Sequence, residues 1–88
     1  MKVRFMKLTI VTPTEKFFEA EVVSVVAPGD EGYFGVLENH SPFLSTLKDG
    51  EVKVKLTDKE EKTFAITGGM ADINNNTVKI LAEAVEEK

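Results

Sequence analysis

The first apolar positions of the chain alternate. Met6, Leu8 and Ile10 fall on one side of the pattern and Lys7 and Thr9 on the other, the period of two expected of a strand with one covered face. Val3 and Phe5 occupy the opposite phase, so the strand either starts near Phe5 or contains a bulge that exchanges its faces. Thr12-Pro13-Thr14-Glu15 ends it, because proline fixes φ and drives the preceding residue out of helical conformation. In the next run Phe18, Ala20 and Val22 keep one phase while Val23 and Val25 take the other. This predicts one long strand, either covered on both faces or bulged. The β-branched run Val22-Val23-Ser24-Val25-Val26 disfavours helix.

Phe43 to Leu47 reads as a short strand closed by a Lys48-Asp49-Gly50 turn. Val52, Val54 and Leu56 then alternate with Glu51, Lys53, Lys55 and Thr57, a strand with one dry and one wet face. Beyond the Asp58-Lys59-Glu60-Glu61 turn, Phe64 and Ile66 resume the pattern until Gly68-Gly69 interrupts it, which suggests a bulge or a close backbone approach. Met70 to Ile73 can pair with Val78, Ile80 and Ala82 across Asn74-Asn75-Asn76, since asparagine tolerates left-handed backbone. Leu81 to Lys88 mixes helix-forming alanine, glutamate and leucine with a strand-like lead-in, and the hairpin favours strand through about Ala84. Short strands with frequent turns and no sustained helical period predict a single all-β domain over residues 1–88, a sandwich or a barrel. The sandwich is favoured, because closing two apolar faces over each other is efficient for a short chain.

Composition narrows the partners. With 88 residues the core must be thin, and 42% hydrophobic with 30% charged residues excludes disorder as the reading. A net charge of -4 without a basic stripe argues against nucleic acid. The absence of cysteine removes disulfide and cysteine–zinc frameworks and fits a reducing compartment. No apolar run approaches a membrane span, and the charged start lacks the apolar core of a signal peptide, so membrane association is expected only through another protein.

The densest feature is Ala27 to Leu44, which holds Gly29, Gly32, Gly35, Pro28, Pro42 and the chain's one histidine, His40. Glycine at a spacing of three predicts a loop whose backbone needs positive φ or close contact at Gly32 and Gly35. His40 beside Ser41 makes a poor nucleophile–base pair, because sequence neighbours rarely reach catalytic geometry. One imidazole cannot build a zinc site, and Asp30, Glu31 and Glu38 lack the spacing of a calcium loop. Gly29-x-x-Gly32-x-x-Gly35 has the wrong order for a dinucleotide fingerprint, and its acids would repel phosphate. No catalytic residue, cofactor or metal is therefore expected. The remaining reading is a contact surface with Tyr33 and Phe34 as candidate anchors, weighed against Phe34 and Phe43 serving as core plugs.

The order Pro28-Gly29-Asp30-Glu31-Gly32-Tyr33-Phe34-Gly35, then His40-Ser41-Pro42-Phe43-Leu44, resembles the epsilon subunit of F-type ATP synthases. Leu8 to Pro13, Phe18, Gly68-Gly69 and Thr77 to Glu83 match that family in order, so the resemblance extends over about residues 6 to 85. It implies a flattened β-sandwich of about ten short strands. It also implies a non-catalytic rotor subunit of the central stalk, held peripherally at the cytoplasmic face of a bacterial membrane by its complex. By the same resemblance, Asp30, Glu31, Gly32 and Tyr33 would face the polar loops of the c ring, and Thr12, His40 and Ser45 would face the gamma subunit. Tyr33 stands where relatives often carry a charge. Many relatives continue into a helical hairpin that restrains ATP hydrolysis or binds ATP; residues 81–88 leave no room for it, so neither property is expected of this sequence. The alternative is an unrelated small β-sandwich that binds another protein.

Overall fold

Alternation produces the strands where the sequence predicts them, and the change of phase at Val22-Val23 turns out to be a change of layer. The computed structural model describes residues 5–37 and 42–88. β1 (Met6–Val11) and β2 (Lys16–Val22) pair antiparallel, with Met6, Leu8 and Ile10 buried. Between them Thr12 and Glu15 close the turn, the Thr12 amide donating to the Glu15 carbonyl at 2.8 Å. The single long strand expected next is instead two. β2 stops at Val22 and β3 (Ser24–Gly29) starts on the opposite phase, because β2 lies on β1 whereas β3 pairs with β6 (Gly50–Lys55). Val23 sits at the break and donates its amide to the Lys55 carbonyl at 2.7 Å.

The glycine-rich segment is also more regular than a loop. β4 (Gly32–Val36) folds back on β3 in register from Val25↔Val36 to Gly29↔Gly32, leaving Asp30 and Glu31 as a two-residue turn. β5 (Phe43–Leu47) pairs with β8 (Gly69–Asn74), and β6 pairs with β7 (Glu61–Thr67). β8 turns into β9 (Thr77–Leu81) through Asn75 and Asn76 at φ 48° and 60°, the left-handed backbone that asparagine tolerates. The final segment leaves β9 and becomes β10 (Ala84–Glu87) on the far layer against β7. Successive residues mark the crossing: the Ala82 amide donates to the Val11 carbonyl at 3.0 Å and the Glu83 amide to the Thr67 carbonyl at 3.1 Å.

The described residues form ten strands in one hydrogen-bonded sheet: nine follow the path β10-β7-β6-β3-β5-β8-β9-β1-β2, and β4 is attached to β3. It folds over itself into two layers joined at β3, whose Gly29 pairs with Leu47 of β5. Leu8, Ile10, Ile73 and Ile80 from one layer and Val25, Val52, Val54 and Phe64 from the other fill the space between. β2 closes over β7, where Phe18 and Phe17 meet the fully buried Phe64 at ring distances of 4.9 and 6.0 Å. No polar or charged residue is buried among the described residues, so the layers are held by apolar packing and backbone ladders. The particle measures 38 × 25 × 22 Å.

Candidate functional site

The β3–β4 hairpin tip stands at one border of the sandwich and is held on both sides. Asp30 accepts a hydrogen bond from Thr46 Oγ1 on β5. The Tyr33 hydroxyl accepts the Glu51 amide at 3.4 Å where β6 begins, and the Lys48 amide donates to the Pro28 carbonyl at 2.8 Å. The tip, together with Phe34, Phe43, Leu44, Ser45 and Thr46, lines a cleft of about 510 Å³. Phe34 packs against the core and meets Phe43 edge to face at 5.4 Å. The core-plug reading therefore holds for Phe34, while Phe43 stays largely exposed.

The three glycines differ in what they require. At Gly29 an added Cβ would lie 3.0 Å from the Gly32 carbonyl oxygen, and Gly32 sits at φ +130° with open space around it. Gly35 needs neither device: its nearest neighbour would be Val26 Cγ2 at 3.9 Å, ordinary contact. The expectation of constraint holds at Gly32 through backbone angle and fails at Gly35, which merely sits opposite Val26.

Thr12 lies elsewhere, in an apolar groove of about 260 Å³ with Val11, Pro13, Met70 and Leu81 among its walls. Ser45 is not in that groove; it shares the hairpin cleft, donating its hydroxyl to the Thr46 carbonyl at 2.9 Å. The two concavities adjoin across one pairing, since Thr46 of the cleft is opposite Met70 of the groove. His40, the third residue expected toward gamma, lies outside the described residues. The motifs do not single out Met70 and Leu81, although the sequence carries a signal for them. Both stand on the wet phase of their strands, beside Asp72 and Lys79, where an apolar side chain has no core to enter.

Comparison with known proteins decides the family. The model for the ATP synthase delta/epsilon chain β-sandwich domain matches residues 5–88. The chain belongs to this family. An ATP synthase epsilon chain of Chlorobium limicola is 46% identical over 79 residues, covering 90% of this chain and 90% of the relative. One from Syntrophobacter fumaroxidans is 49% identical over 82 residues, covering 93% of this chain but 60% of the longer relative. Curated epsilon chains thus match at two lengths, one close to this domain and one that extends well past it. A chain in the Euglena gracilis mitochondrial ATP synthase, solved with its c ring, superposes with a TM-score of 0.88 at 24% identity; the match covers 94% of this chain and 53% of that one and establishes the shared fold. The all-β sandwich expected from periodicity is therefore the fold of this family, and the alternative of an unrelated sandwich falls.

Proposed function

We propose that this epsilon-family chain is a non-catalytic rotor subunit of an F-type ATP synthase. It joins gamma to the c ring in the central stalk, peripheral at the cytoplasmic face of the bacterial membrane through that complex. The observation that carries the reading is the near full-length match to ATP synthase epsilon chains. The proposed division of surfaces keeps Asp30, Glu31, Gly32 and Tyr33 toward the c-ring loops and Thr12, His40 and Ser45 toward gamma. Two features support it. The hairpin tip presents acidic residues in a shape fixed by its neighbours, suited to meeting polar or basic loops. The groove of Thr12 has apolar walls with Met70 and Leu81 exposed, surface suited to burial against a partner. Torque would pass through a continuous ladder over an apolar core, which resists shear because packed interiors deform little.

A pull-down with purified gamma tests the assignment. Thr12→Arg places a charge in the apolar groove, and Ser45→Arg a bulky one in the adjoining cleft. Each is expected to weaken capture about tenfold or more, in line with the loss of a central interface position, without altering the melting temperature. Capture at the wild-type level by the double variant would remove gamma from these surfaces.

A further inference from the structure

The ladder between β3 and β6 stops short. It pairs Ser24↔Lys55, Val25↔Val54 and Val26↔Lys53, and two residues further along β3 the Pro28 carbonyl is taken by the Lys48 amide. The Glu51 amide is therefore received by a side chain: the Tyr33 hydroxyl accepts it at 3.4 Å, where the ladder would have supplied a carbonyl. Tyr33 stands on β4 opposite Pro28, so its side chain crosses β3 to meet β6. Gly50 makes room for it, since a Cβ there would lie 3.0 Å from the tyrosine oxygen and 3.0 Å from Pro28 Cβ. From the other side Lys88, which follows β10, crosses β7 to place its ammonium 2.8 Å from Glu51 Oε2, while its own amide donates to the Thr63 carbonyl at 2.9 Å. Ala65 is the β7 residue between, opposite Glu51 on one side and Glu86 on the other. Two side chains, each crossing an intervening strand, thus converge on one residue, Tyr33 on its amide and Lys88 on its carboxylate.

We propose that Glu51 is a relay that couples the seating of the terminal strand β10 to the order of the β3–β4 hairpin. Both coupled elements are of the kind that opens locally: among the described residues β4 pairs only with β3, and β10, four residues long, pairs only with β7. With Lys88 seated, the Glu51 side chain is fixed and its amide is presented to Tyr33. Opening β10 removes the first restraint and weakens the second. An exposed ion pair contributes little, so the coupling is small, a factor of about two to three in local opening. It is also reciprocal: whatever holds the hairpin still seats β10 more firmly, by the factor with which β10 steadies the hairpin. The relay is a property of the chain itself and stands apart from the assignment of its surfaces to gamma and the c ring.

Amide hydrogen exchange of the free full chain, followed residue by residue by NMR at low salt, tests the relay in Lys88→Met, Tyr33→Phe and the double variant. Lys88→Met is expected to speed exchange about two- to threefold in residues 84–87 and also in the hydrogen-bonded amides of residues 32–36, with β8 and β9 unchanged. Tyr33→Phe, which alters nothing in β10, should speed residues 84–87 by a similar factor. Once Tyr33→Phe is present, adding Lys88→Met should no longer move residues 32–36, because the path to them is already cut. Glu51→Gln keeps the amide and loses the ion pair, so it should reproduce Lys88→Met in the hairpin, and about 1 M salt should erase the difference of both from wild type. Wild-type exchange of the hairpin in Lys88→Met, whether or not β10 loosens, would overturn the relay. So would a Lys88→Met effect on the hairpin that persists in full beside Tyr33→Phe, since transmission would then bypass Glu51. Equal acceleration of β8 and β9 in both Lys88→Met and Glu51→Gln would refute it as well, because the loss would then be one of global stability.

Discussion

Gly69 is the position where a single added carbon would do most damage. Its φ is +126°, and a Cβ would come within 1.9 Å of the Leu81 carbonyl oxygen and 2.9 Å of Ala82 Cα, both backbone atoms that cannot rotate aside. Gly69→Ala is expected to lower stability by about 3 kcal/mol or more, from strained backbone and displacement of β9 together. Gly32→Ala, which meets open space at φ +130°, should cost about 1–2 kcal/mol from backbone alone, and Gly35→Ala well under about 1 kcal/mol. Urea denaturation of the three variants checks the order; equal losses at Gly32 and Gly35 would refute the distinction. The interruption at Gly68-Gly69 is legible in the sequence as a close approach, because two glycines inside a strand pattern have few other uses. The requirement at Gly29 and Gly32 as against Gly35 is not, since equal spacing says nothing of which backbone angle each residue takes.

Edge strand β10 shows how little holds a four-residue element in place. Apart from its ladder with β7 and the half-buried Val85, it is fastened by Lys62–Glu87 and Lys88–Glu51, each at 2.8 Å. The Lys88 ammonium holds the Glu51 carboxyl below its ordinary range, and Glu51 in turn raises Lys88. A depressed carboxyl contributes stability at neutral pH that is lost as pH falls through its folded value, below about 4.3. A raised ammonium contributes below about pH 10.4 and loses that contribution as pH rises through its folded value. The Val85 methyl resonances should therefore be flat between about pH 5 and pH 10 and shift beyond each end, more weakly in high salt. A step near neutral pH would contradict the assignment. Strand identity for most elements follows from alternation alone, as in β1, β6 and the β8–β9 hairpin. What alternation cannot reveal is partnership. The phase change at Val22-Val23 and the departure after Leu81 are layer crossings, and β4 is hidden because glycines and an aromatic pair obscure a short edge strand.

As a particle, the described residues combine an interior without buried polar side chains with two adjoining concavities on their border, one acidic and aromatic, the other apolar. That arrangement suits a coupling piece between two unlike partners, and it contains surfaces that sequence pattern and family likeness reach unequally. The hairpin tip and Thr12 come from the resemblance, whereas the walls formed by Met70 and Leu81 require the register of β8 against β9. Thr12 and Ser45 fall in neighbouring hollows instead of one, so a gamma contact reaching both must span the Thr46–Met70 pairing. The proposed bridge between gamma and the c ring is tested by affinity purification of the tagged chain from membranes in mild detergent. Gamma is expected to be recovered together with the c subunit, and Glu31→Gln combined with Thr12→Arg should lose both. Recovery of neither from membranes that contain the assembled synthase would contradict it.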